Sequence, residues 1–182
     1  AGQVLRTQVY TFSHGDFRSQ AEVPAGSFAL QVRGWSYELL GTEGDDQLAG
    51  GAGHDLLRGL AGDDKLDGGT GDDTLIGGEG ADTLNGGTGD DIVSVGSGAS
   101  TVFGEDGNDN IAAVTDASNH QLFGGNGADT LAAGGGNDSI DAGDGADADS
   151  VDAGNGANTI LGGGGNDTLI AAVGADSINA GT

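Results

Sequence analysis

The chain has 182 residues, a formal net charge of −24, 40 glycines, one proline and only 4% aromatic residues. So much glycine with so little bulk excludes an ordinary globular core. The negative charge excludes nucleic acid and anionic membrane as partners, because both are polyanions.

There is no cysteine and no methionine, so disulfides cannot staple the fold, and a bound metal is the alternative staple. With three histidines and no thiols, zinc or copper has little to draw on. No apolar run reaches membrane length, so this segment is not expected to insert in a bilayer. No N-terminal signal peptide is visible. The chain starts at Ala1 and stops at Thr182 as another repeat begins, and it reads as a piece of a longer protein.

Residues 1–40 carry six of the eight aromatic residues, namely Tyr10, Phe12, Phe17, Phe28, Trp35 and Tyr37. Residues 4–12 read as a strand, and residues 28–32 alternate apolar and polar as a second. Pro24, Ala25 and Gly26 signal a turn between them. The expectation is a small β-rich N-terminal cap, or the tail of a preceding domain. His14, Gly15 and Asp16 form the only local His/Asp cluster of this segment and read as an exposed turn.

From residue 41 to 182 the period is nine. The cleanest of fifteen units is Gly68-Gly69-Thr70-Gly71-Asp72-Asp73-Thr74-Leu75-Ile76, and units 113–123 and 142–152 carry two extra residues each. The eighth position is aliphatic in every unit, from Leu48 to Ile178. The first six positions are small, glycine or acidic, which suits a tight turn. The last three suit a short strand with one inward side chain. Two units then close one coil, and coils stack at roughly 4.8 Å with every strand paired above and below. The expected fold is all-β, a right-handed parallel β-roll of about eight coils.

One buried aliphatic per nine residues does not offset the backbone entropy of ordering them. Stacking also brings aspartates of successive coils together, where like charges repel. A cation between coils reverses that sign. Lys65 is the only lysine, no arginine follows it, and beyond Glu105 the acidity is all aspartate. Aspartate on carbonyl-rich glycine turns is suited to Ca²⁺, which takes six to eight oxygen ligands. An EF-hand does not explain the pattern, since its loop ends in glutamate. Nor does a phosphate loop, which needs a lysine and a following helix.

Catalysis needs one special site rather than fifteen periodic turns, and neither G-x-S-x-G nor H-E-x-x-H occurs. The segment is therefore expected not to be an enzyme. His54 falls at a variable turn position and is expected to face solvent.

The pattern G-G-x-G-x-D-x-U-x over residues 41–182 resembles the repeats-in-toxin (RTX) nonapeptide. The resemblance implies a module of proteins that leave Gram-negative cells unfolded through the type I secretion machinery and fold on extracellular calcium. It implies an extracellular or cell-surface location, with calcium as cofactor and partner. The relatives include proteases, lipases, toxins and adhesins, so the resemblance does not say what the rest of the protein does.

It also implies a ligand set. One turn offers its second and fourth carbonyls and its sixth-position aspartate. The next turn on that side offers its first and third carbonyls and its own aspartate. Carried over, one site uses Gly69, Gly71 and Asp73 with Gly86, Thr88 and Asp91. Its neighbour uses Gly51, Gly53 and Asp55 with Gly68, Thr70 and Asp73.

Alternate turns fall on opposite edges. Counting units from residue 41, the even edge reads Asp55, Asp73, Asp91, Asp109, Asp129, Asp149 and Asp167, an unbroken row. The odd edge reads Asp46, Asp64, Asp82, Ser100, His120, Asp138, Asn158 and Asp176. Only Asp46–Asp64 and Asp64–Asp82 are complete pairs there. The even edge is expected to be well loaded and the odd edge mainly at its N-terminal end, for about eight ions or more. Either Asp147 or Asp149 serves the inserted turn of unit 142–152, and Asp116 or Asn119 could stand in near His120.

Ice binding would need a regular outward row of Thr or Asn. The even-edge third positions, Ala52, Thr70, Thr88, Asp106, Asn126, Asp144 and Gly164, are irregular. A second reading is attachment to a surface glycan, for which Phe103 and Phe123 are the only aromatics in the repeats.

Overall fold

The computed structural model describes the backbone of residues 20–22 and all of residues 36–113 and 116–182. The strands expected at residues 4–12 and 28–32, the turn at Pro24 and the cluster at His14 lie outside the described residues.

Among the described residues every element is a strand and every pairing is parallel. They form one sheet of nine strands and one of eight, in which each strand pairs with the strands one coil before and after it. No helix of the described residues is long and apolar enough to cross a membrane. This is the two-sheet parallel roll expected from the period. A coil advances 18 residues and widens to 20 across each inserted pair. The ladder reaches back before residue 41, since Gln20–Glu22 pairs with Glu38–Leu40, which pairs in turn with the strand Leu56–Ala61.

The core is one column of aliphatics per sheet. The eighth-position residues from Leu48 to Ile160 are buried, and Leu39 extends the column upstream. Leu169 is only partly buried and Ile178 is half exposed, because the last coil has no neighbour to cover it among the described residues. The parallel sheets bury both inner faces on each other, so alternate strand residues point in and out.

Two features depart from the expected unit. Strands in the first half run six residues, as in Lys65–Thr70 and Thr74–Glu79, because pairing continues through the first three positions. They shrink to three residues in most later units, such as Thr130–Ala132 and Ser139–Asp141. The first position also faces inward: Val95, Ala113, Ala133, Ala142 and Ala153 are all fully buried members of the core.

Candidate metal centre

The sixth-position side chains fold back inside the turns and link coil to coil. On the even edge Asp73 Oδ1 accepts the N–H of Asp55 at 2.7 Å, and Asp91 Oδ1 accepts that of Asp73 at 2.7 Å. The series continues through Asp109, Asp129, Asp149 and Asp167 at 2.8–3.1 Å. The odd edge repeats it with its own residue types: Asp64, Asp82, Ser100, His120, Asp138, Asn158 and Asp176 each accept the N–H of the residue one coil earlier. Thus every sixth-position residue from the sequence is where counting back from the aliphatics places it.

The second oxygen of these carboxylates is the chemically informative one. Oδ2 of Asp55, Asp64, Asp73, Asp82, Asp91, Asp109, Asp129, Asp138 and Asp167, and Oδ1 of Asp46, are buried with no hydrogen-bond partner. A buried charged oxygen without a partner is costly, so a cation or a proton has to satisfy it. Burial, and after it the neighbouring aspartates, push the carboxyls of Asp64, Asp73, Asp91, Asp109 and Asp129 up to about 6, against the pull of the backbone N–H each accepts. Burial likewise raises Asp55, Asp82, Asp138 and Asp149.

Carbonyls converge on the same gap between coils. A β-carbon added at Gly68 would stand within 3.0 Å of both Asp73 Oδ2 and the carbonyl oxygen of Gly86 in the next coil. Gly50 relates to Asp55 Oδ2 and Gly68 O in the same way. The Gly51 and Gly53 carbonyls point up the roll at Gly69 and Gly71. The Thr70 and Thr88 carbonyls point down it, accepting the N–H groups of Gly53 and Gly71 at 2.8 and 2.7 Å. Gly69 and Gly71 adopt φ of 106° and 112°, the left-handed backbone that turns their carbonyls this way and that glycine allows. No three His, Asp or Glu side chains of the described residues converge on one point. An ion in the gap would therefore be completed by carbonyls, which fits a hard cation of high coordination number.

The inserted turns resolve as follows. Asp149 is buried in the even row and Asp147 is exposed outside it. At the other insertion His120 itself occupies the row. Asp116 lies beside it, bonded by Ser118, the Gly98 N–H and His120 Nε2. Burial would raise Asp116, but these donors outweigh it and hold the carboxyl at about 2. Asn119 belongs to a different row.

That second row is one sequence reasoning missed. Fifth-position side chains on the outside of the turns also link coils, in the opposite direction. Asp45 accepts the N–H of Asp63, which accepts that of Ala81. Asp72 accepts from Asp90, Asp90 from Asn108, and Asn119 from Asn137. His54 is solvent-facing yet takes the same part, accepting the Asp72 N–H at 2.8 Å. The recurrence of Asp, Asn or His at this position was the available signal.

The RTX calcium-binding nonapeptide repeat (4 copies) matches residues 40–75, 67–102, 85–113, 123–148 and 147–178, well over half the chain. No curated protein and no solved structure matches.

Proposed function

Because the chain belongs to the family of RTX calcium-binding nonapeptide repeats, we propose that residues 41–182 are a calcium-driven folding module that stabilises a larger secreted protein. The observation that carries this is the row of buried, unpartnered aspartate oxygens facing turn carbonyls of the next coil. Without a cation that row is a column of like charges, and it favours the open chain. With calcium at roughly millimolar levels, as outside cells, each gap becomes an attraction between coils.

Six gaps on the even edge and two on the odd edge give about eight ions. The ligands are the aspartates of the two rows, with Gly51, Gly53, Gly68, Thr70 and their equivalents supplying carbonyls. The module itself is non-enzymatic. It leaves the cell unfolded through the type I secretion machinery, and the activity of the protein resides in other segments.

A glycan-binding role has less support. Phe103 and Phe123 stack on each other, 5.0 Å between centroids and 9° between planes. Their register neighbours along the sheet are Asn85 and Asp141, so the aromatic run is two rings long and does not continue as a platform.

The test is circular dichroism of the full chain during a calcium titration from excess EGTA. The expected result is a cooperative gain of β-signal with calcium. A β-signal already complete in EGTA overturns the proposal.

A further inference from the structure

The two edges differ in more than their aspartates. On the odd edge the first position of the unit is Gly41, Gly59 and Gly77, and then Val95, Ala113, Ala133, Ala153 and Ala171. The change from glycine to a side chain comes at the very unit where the sixth position first loses its aspartate, Ser100. All nine units that begin with glycine keep an aspartate at the sixth position. In each of the nine, an added β-carbon would stand within 3.0 Å of that aspartate's Oδ2 and of a carbonyl oxygen of the next coil. The glycine therefore leaves the space in which carboxylate and carbonyl oxygens meet. Where Val95, Ala113, Ala133 or Ala153 stands, a buried β-carbon occupies that place as part of the apolar core, and Ala142 does the same on the even edge in the unit of Asp149, which narrows that edge from six open gaps to five.

The residues that replace aspartate on this edge bring protons of their own. Ser100 accepts the Asp82 N–H at 3.0 Å, and its hydroxyl lies 3.4 and 3.3 Å from the fourth-position carbonyls of Gly80 and Gly98. Asn158 accepts the Asp138 N–H through Oδ1 and donates through Nδ2 to the carbonyl of Ala153 at 3.2 Å. That is a first-position carbonyl, the equivalent of Gly86 O, which elsewhere faces a bare carboxylate oxygen. His120 accepts the Ser100 N–H through Nδ1, at 3.4 Å, and meets Asp116 through Nε2 at 3.2 Å. In every case the row is continued; at Ser100 and Asn158 a donor meets turn carbonyls, and at His120 a ring stands in place of the carboxylate.

We infer that the odd edge from Val95 onward is a metal-free edge, in which first-position β-carbons close the ion sites and Ser100, His120 and Asn158 take the place of ligand aspartates. This rests on the calcium reading above and narrows it: Asp138 and Asp176 hold no ion, although both are aspartates in the ligand row. Asp138 is the decisive residue, because its Oδ2 is buried and unpartnered while its own turn begins with Ala133 and the next coil brings Asn158. The roll is then stitched by ions on both edges of its first half, and by ions on one edge and side chains on the other in its second.

The experiment counts calcium bound to the full chain at saturation by equilibrium dialysis, for wild type, Asp64→Asn and Asp138→Asn. Wild-type crystals grown in calcium, with the ions located by their anomalous scattering, give an answer that does not depend on a variant folding. Asp64→Asn is expected to lose one or two ions, Asp138→Asn none, and the crystals to show ions at Asp46–Asp64 and Asp64–Asp82 but none beside Asp138 or Asp176. An ion beside Asp138, or its loss in Asp138→Asn, overturns the inference and leaves the calcium reading standing. No calcium bound to the wild-type chain overturns both.

Discussion

Asp73 accepts the backbone N–H of Asp55 through Oδ1 at 2.7 Å, while its Oδ2 is buried and faces the carbonyl of Gly86 in the following coil. One carboxylate thus holds the coil before it by a hydrogen bond, and its other oxygen needs a cation or a proton before the coil after it can close. Repeated along the even edge, this makes the stack directional and its cohesion dependent on what fills the gaps.

Removing a carboxylate inside the even row should cost more than removing one at the open end. Asp91→Ala leaves the buried Asp73 N–H without an acceptor, which costs about 1–3 kcal/mol before any ion is lost. Asp176 is only part-buried, so water can replace it at the Asn158 N–H. In calcium titrations followed by circular dichroism, Asp91→Ala should raise the midpoint and lower the melting temperature at fixed calcium, by more than that energy alone because ligands are lost as well. Asp176→Ala should move it little, and equal midpoints would contradict the unequal edges.

The metal-free chain should become more ordered as pH falls. The five carboxyls raised to about 6 have an ordinary value of 3.8 in the open chain. The roll therefore binds more protons than the open chain between those values, and its stability rises as pH drops from above 6 toward 4. That contribution is fully present below 3.8 and is lost as pH rises through 6. Protons and calcium compete for the same oxygens, so calcium affinity should fall over the same window. Circular dichroism in EGTA at pH 4.5 and pH 7.5 checks the sign: more β-signal at the higher pH would contradict it.

Two second positions lack glycine where the backbone is left-handed. Leu60 has φ 87° and Glu105 has φ 78°. Such backbone costs a side-chain-bearing residue about 1–2 kcal/mol, part of which glycine returns as entropy of the open chain. Glu105→Gly and Leu60→Gly should each stabilise the calcium-loaded roll by up to about 1 kcal/mol, read as a higher melting temperature in calorimetry. An unchanged or lowered melting temperature in both would speak against strain there.

The aliphatic column should be sensitive in its middle and tolerant at its end. Leu84 is fully buried, and Leu84→Ala should cost about 2–5 kcal/mol in urea unfolding at saturating calcium. Ile178 is 51% exposed, and Ile178→Ala should cost less than about 1 kcal/mol.

The sequence by itself determined the fold class, the column of eighth-position aliphatics and the membership of both aspartate rows. It could do so because a strict repeat makes every coil's environment the same as its neighbour's, so position within nine residues stands in for position in space. What it left open depended on the coil above or below. Only the stacked structure decided that Asp149 rather than Asp147 enters the row, that His54 and Asp72 belong to a second, outer ladder, and that strands extend through the first three positions. It also showed that Val95 and Ala133 fill the space which Gly77 and Gly68 leave to a carboxylate. Those outcomes turn on hydrogen-bond direction and on contacts between residues about 18 apart in sequence, where one β-carbon decides whether two oxygens can meet.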